Sequence, residues 1–176
     1  MKISEQGIKL IKHFESLHDG DLLVIGLQPK LDPVGIWTVG YGHAVKVNGQ
    51  FLRGISNKAK AYELFPCLTE QEACDLLNHD LDYFENFVSD LNVDLQQFQF
   101  DSLVSFAYNV GTGSLYRSTL LKVVRYTPND EKAIERSFMM WNKGRIKGKL
   151  TVLPGLVRRR LSEAYMFNTG GLKFYF

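Results

Sequence analysis

An α+β fold, mostly helical with one small β region, is what this sequence predicts, and three observations carry the prediction. Residues 4–15, 69–91 and 95–110 repeat their apolar positions every three or four residues, the period of an amphipathic helix. Between them, residues 31–51 gather β-branched, aromatic and turn-forming residues in short alternation. The chain has 176 residues, 45% hydrophobic and 12% aromatic, enough for one good core or two small lobes.

Taken in order, the elements follow from local chemistry. Ser4 is a plausible N-cap for a helix whose apolar face is Ile8, Ile11 and Phe14, with Glu15 at its end. Asp32-Pro33 opens a tight turn, because proline presets φ and aspartate can bond the backbone just beyond it. Ile36 to Val39 reads as a short strand, and Gly40 and Gly42 let another backbone come close at its exit. Asn48-Gly49, flanked by Val47 and Phe51, is a strong two-residue hairpin signal. Residues 57–66 show little pattern and are expected to be a connector. Thr69-Glu70-Gln71-Glu72 is a capping box that opens a helix to about Leu91, with Leu76, Leu77, Leu81, Phe84 and Val88 as its stripe. Leu95 to Val110 is apolar nearly all round and belongs in a core, with Gly111 to end it. Shorter helices are expected from Ser118-Thr119 to Val124, and from Pro128-Asn129-Asp130 toward Met139, Met140 and Trp141. A final helix runs from Leu156 to about Phe167.

Two acids stand out chemically. Glu15, held beside an apolar stripe, would have its ionised form disfavoured, whereas Asp32 in a polar turn would stay ionised. Environments that push two carboxyl groups apart in this way make a general acid and a general base. The plainer alternative is that Glu15 is a solvated helix-end acid and Asp32 a turn former. Asp19 and Asp21, in the polar stretch 18–30, read as a solvated turn, with Asp21 a second candidate for the partner acid.

Other function classes find less support. The net charge is only +2, and no stretch of eighteen apolar residues is present, so membrane insertion is not expected. The charged amphipathic start argues against a secretory signal. Cys67 and Cys74 read as ordinary thiols, and His13, His18, His43 and His79 lack metal-ligand spacing, so neither metal nor cofactor is expected. Lys143, Arg145, Lys147, Lys149, Arg158, Arg159 and Arg160 form a run without acids. Nucleic acid would suit such a run, but it carries no aromatic residue for base stacking, so a groove rim or general attraction to an anionic surface fits better.

Phe14-Glu15-Ser16-Leu17 followed by Leu31-Asp32-Pro33-Val34-Gly35-Ile36-Trp37-Thr38-Val39-Gly40-Tyr41-Gly42-His43 resembles the start of the phage-type lysozymes, the muramidase family of T4 lysozyme and the lambdoid endolysins. Phe100 to Gly111, Ser118-Thr119-Leu120-Leu121, Trp141 and Leu153 to Arg160 extend the resemblance, in order, over most of the chain. The resemblance implies one lysozyme-like domain over residues 1–176. A small β-containing lobe (16–66) and a helical lobe (1–15 and 67–176) would have a groove between them. It implies hydrolysis of the β-1,4 bond between N-acetylmuramic acid and N-acetylglucosamine in peptidoglycan. Glu15 would be the acid, with Asp32 and Thr38 positioning water. Tyr108, Asn109, Ser118 and Thr119 match groove contacts, and His43 with Asp80 matches a structural pair. Asp32 is preferred to Asp21 because Gly35 and Thr38 follow it at the family's spacing, although the 18–30 stretch is longer than usual. A lytic transglycosylase giving 1,6-anhydro products, or a non-catalytic cell-wall-binding module, are the rivals. A monomer held in the host cytoplasm until a holin-type pore releases it is the family expectation.

Overall fold

The computed structural model describes residues 1–17, 19–21 and 23–176; His18 and Leu22 lie outside the described residues. Ser4 starts the first helix, α1 (Glu5–Glu15), by accepting the Gly7 amide on its Oγ at 3.3 Å, the cap expected from the sequence. Asp101 takes the Ser4 amide at 3.0 Å and also its hydroxyl. Glu85 takes the Ile3 amide at 2.9 Å and the Lys2 ammonium at 2.7 Å. These bonds fasten residues 1–14 into one packing unit with residues 83–176; residues 15–82 form another.

In the 15–82 unit, β1 (Lys30–Leu31), β2 (Trp37–Val39) and β3 (His43–Ala44) pair antiparallel in that order, Leu31 opposite Trp37 and Val39 opposite His43. All three β2 residues are buried, as β-branched and aromatic side chains at a sheet centre should be. β4 (Lys46–Val47) and β5 (Gln50–Phe51) form the hairpin expected at Asn48-Gly49, whose φ values of 50° and 77° are both positive, as a type I′ turn requires. Trp37, Val39, Val45, Leu52, Ala61 and Leu68 make the core. Gly40 suits its place: its φ is 60°, and a Cβ there would crowd the Ala73 Cβ at 3.0 Å.

Residues 57–66 are not the connector expected. A 3-10 turn (Ile55–Asn57) leads into α2 (Lys58–Leu64), where Ala61 alone is buried and Tyr62 and Phe65 pack only partly on the core. So short a helix with so small a buried face leaves no apolar period to read. α3 (Glu70–Ser89) opens with the expected capping box, the Glu72 carboxylate accepting the Thr69 amide at 2.8 Å and Thr69 Oγ1 accepting the Glu72 amide at 3.2 Å. The bonds from the Thr69 backbone and hydroxyl hold the Glu72 carboxyl below its ordinary titration range. The unit that holds the β1–β2–β3 and β4–β5 sheets runs to residue 82, within α3.

The other unit comprises α4 (Gln97–Val110), α5 (Thr112–Arg117), α6 (Thr119–Tyr126), α7 (Glu131–Met139), the hairpin β6 (Lys143–Ile146) and β7 (Lys149–Val152), and α8 (Pro154–Thr169). α8 packs against α4 and α7. Every residue of α4 from Phe100 to Ala107 is buried, so the central helix is enclosed on all sides. Phe106 meets Phe138 and Trp141 edge-on, at ring-centre distances of 5.4 and 5.7 Å. Asp130 caps α7 by accepting the Ala133 amide at 2.9 Å, and Pro154 sits in the first turn of α8. No helix among the described residues is long and apolar enough to cross a membrane.

Candidate active site

Asp32 opens the five-residue loop between β1 and β2. Its Oδ1 accepts the Val34 amide at 2.9 Å and the Ile36 amide at 2.8 Å, and its own amide donates to the Ile36 carbonyl at 2.8 Å. Both side-chain bonds land on Oδ1, so the turn is held by one oxygen and the other accepts none among the described residues. Proline, glycine and an Asx-bonded aspartate together freeze the half-buried carboxylate in one orientation. Six residues on, Thr38 is buried in β2 and donates its hydroxyl to the Lys30 carbonyl at 3.1 Å. With its hydrogen committed there, Thr38 Oγ1 offers only lone pairs and can accept from a water. Asp32 and Thr38 therefore ride on one rigid hairpin.

Glu15 is the last residue of α1, half-buried, and packs with the 15–82 unit. His43 and Asp80 meet: Nδ1 of the β3 histidine lies 2.8 Å from Asp80 Oδ2 and 3.1 Å from Oδ1, pinning the sheet to α3. Phe65 lies edge-on to the His43 ring, 5.9 Å between ring centres. Asp21 precedes β1 in the chain. Its carboxylate accepts the Leu23 amide at 3.1 Å, and its backbone amide donates to Asp19 at 3.1 Å, so it forms a turn of its own in the 18–30 stretch, off the hairpin that carries Thr38. Cys67 and Cys74 are not joined in a disulfide, and no three His, Cys, Asp or Glu side chains gather as metal ligands among the described residues.

In the helical unit, the residues matched to groove contacts have unequal freedom. Tyr108 is half-buried and meets Phe84 edge-on at 5.2 Å, while Thr119 is exposed. Asn109 lends its Oδ1 to Arg160, which donates from Nη2 at 2.6 Å. Ser118 is 3% exposed and serves α6 instead of the surface: its Oγ accepts the Leu121 amide at 3.0 Å and donates to the Leu115 carbonyl at 2.7 Å. That is an N-cap, the chemistry that serine does best.

The basic run read from the sequence does not survive as one surface. Arg159 and Arg160 are buried on α8 around Glu163, itself fully buried, with Arg159 Nε 3.1 Å from Oε1 and Arg160 Nε 3.1 Å from Oε2. Ser105 donates to the same carboxylate at 2.8 Å, Arg159 Nη2 donates to the Ser105 carbonyl at 3.2 Å, and Ser102 donates to the Glu163 carbonyl at 2.7 Å. Arg160 also lies over the Phe106 ring, 4.8 Å from its centre. Sequence reasoning missed Glu163, although its spacing of three and four residues from the arginines on one helix was the available signal.

The phage lysozyme family profile matches residues 24–163. The chain is 38% identical to an endolysin of Bacillus phage B103, over 98% of this chain and 56% of that one. It is 31% identical to an endolysin of Acyrthosiphon pisum secondary endosymbiont phage 1, over 96% of this chain and 99% of the relative. The chain belongs to the phage lysozyme family. It therefore spans little more than half of one relative and nearly all of another. This family member also superposes on the muramidase domain of SpmX from Asticaccaulis excentricus, with a TM-score of 0.72 at 31% identity, covering 96% of this chain and 98% of that one. The α+β lysozyme fold expected from the sequence is the fold it has, small antiparallel sheets beside a helical majority.

Proposed function

We propose that this chain is an endolysin-type muramidase that hydrolyses the β-1,4 bond between N-acetylmuramic acid and N-acetylglucosamine in bacterial peptidoglycan. Family membership supports the substrate class, and the muramidase and endolysin names of its relatives support the reaction. The observation that carries the residue assignment is the pairing of Asp32 and Thr38 on one short hairpin, a carboxylate with an oxygen left over and a hydroxyl that can only accept.

Glu15 donates the proton to the leaving glycosidic oxygen. Asp32 accepts a proton from water, and Thr38 fixes that water by accepting its second hydrogen. Attack from the face opposite the leaving group inverts the anomeric centre, which requires carboxyls roughly 6.5–9.5 Å apart with room for water between them. Tyr108, Asn109 and Thr119 would contact the glycan, and His43 with Asp80 would hold the sheet. On this reading the protein acts as a monomer and reaches the wall through a separate holin-type pore, so cells expressing it alone lyse only when the membrane is permeabilised.

Digestion of purified peptidoglycan, with mass spectrometry of the products, tests the proposal. Reducing-end N-acetylmuramic acid is expected; 1,6-anhydro ends would instead identify a transglycosylase, which needs no positioned water. Glu15→Gln keeps the shape and removes the proton donor, so hydrolysis should vanish while the fold persists. Retained wall clearing by that variant would overturn the acid's role, and loss of activity in Asp21→Asn but not Asp32→Asn would move the second acid.

A further inference from the structure

The β6–β7 hairpin pairs cations with aliphatic side chains in a way that the hydrolytic reading does not use. Its register sets Lys143 opposite Val152, Arg145 opposite Leu150 and Ile146 opposite Lys149. Directly opposed residues share a face of the ribbon, so the first two pairs lie on one face and the third on the other. All six of these side chains are exposed, Ile146 at 50%, Leu150 at 58% and Val152 at 48%. No acidic residue occurs between Trp141 and Ser162. The tip is Lys147-Gly148, with φ values of 48° and 80°. A lysine thus occupies a left-handed position where asparagine or glycine is the normal choice. Arg145 Nη1 donates to the Gly148 carbonyl at 3.0 Å, and the Leu153 amide closes the base on the Asn142 carbonyl at 2.9 Å. The ribbon carries cations and aliphatic side chains on both faces.

We propose that this hairpin docks on the surface of an anionic phospholipid bilayer. A polyanion would be satisfied by the cations alone, and a protein groove by the aliphatics alone. Each pair here instead sets an aliphatic side chain beside a cation, so that one enters the headgroup–acyl boundary while the other meets a lipid phosphate. Ile146, Leu150 and Val152 supply the insertion; Lys143, Arg145, Lys147 and Lys149 supply the charge. The inference stands apart from the muramidase reading and survives its failure.

Co-sedimentation of the intact protein with phosphatidylcholine vesicles, with and without phosphatidylglycerol, tests it. Partitioning should be at least about tenfold stronger on the anionic vesicles, given what a few basic residues contribute near such a surface, and should weaken as salt is raised. Ile146→Ser with Leu150→Ser should cut anionic-vesicle binding about fivefold or more by removing apolar insertion. Lys147→Asn with Lys149→Gln should erase the preference for anionic lipid while suiting the turn. Thermal unfolding confirms that both variants are folded, and both should digest lipid-free peptidoglycan at the parent rate. Equal binding to both vesicle types overturns the proposal. So does full anionic binding by the serine variant, which would leave only diffuse attraction. Wall digestion falling in step with vesicle binding would place the hairpin on the glycan instead, and binding to teichoic-acid-bearing walls without vesicle binding would make the partner a polymer.

Discussion

Replacing Asp32 by alanine and by asparagine separates what this residue does for the fold from what it does for the reaction. Its Oδ1 receives two backbone amides, at 2.9 and 2.8 Å, inside a five-residue loop. A hydrogen bond to a charged acceptor contributes about 1.5–3 kcal/mol when buried, and the half-exposed setting places these two at or below the low end. Alanine removes both and leaves two turn amides to water, a cost of about 2–3 kcal/mol. Asparagine keeps an oxygen in the same place and loses only the charge-assisted share, about 1 kcal/mol or less. For a chain of this size, 1 kcal/mol moves Tm by about 2–4 °C. The alanine variant should therefore melt about 4–12 °C lower, and the asparagine variant within about 4 °C of the parent. Both should fail to digest peptidoglycan, because neither accepts a proton from water. Scanning calorimetry and reducing-sugar release on one preparation read both quantities. Equal melting of the two variants would show that charge rather than geometry holds the turn. An asparagine variant that still digests walls would refute the assignment of Asp32 as the base.

Ser118→Ala should cost about 1 kcal/mol of stability through the lost cap and leave wall affinity unchanged; weaker affinity at unaltered stability would return Ser118 to the glycan. Glu163→Gln removes a fully buried carboxylate that pairs with two buried arginines and should cost about 3–5 kcal/mol by urea unfolding, whereas a loss under about 1 kcal/mol would show that the charge of this carboxylate adds little to the cluster. Glu72 titrates below its ordinary value of 4.5 because of Thr69, so its stabilising contribution is complete above that pH and disappears as acid carries the solution through its folded pKa. The stability gap between the parent and Glu72→Gln should accordingly be larger at neutral pH than in strong acid; a gap independent of pH would mean that the bond matters and the charge does not.

Features set by a few neighbouring residues were legible in the sequence. The Asn48-Gly49 turn, the Thr69–Glu72 box and the Ser4 and Asp130 caps all rest on bonds spanning four residues or fewer, so their chemistry is local. The β2 strand was legible for the same reason, and Asp32 stood out because proline and glycine follow it. Long-range demands were not legible. Ser118 looks identical in sequence whether it faces a ligand or caps α6. The Lys147-Gly148 turn hides inside a basic run, and lysine is an unusual occupant of its first position. Arg158-Arg159-Arg160 reads as one cluster, yet helical rotation leaves Arg158 exposed and turns the next two inward onto Glu163.

The packing of α1 and α8 has a consequence for how the polypeptide matures as it leaves the ribosome. Ile3 and Ser4 find their partners 82 and 97 residues later, and the serines and asparagine of α4 wait a further 51–61 residues for the last helix. The continuous stretch 15–82 can settle early, whereas the segments on either side of it can be completed only near the end of synthesis. A product stopped short of α8 would be left with hydroxyl and amide groups stranded in an unfinished interior, and would go to proteolysis before it could act.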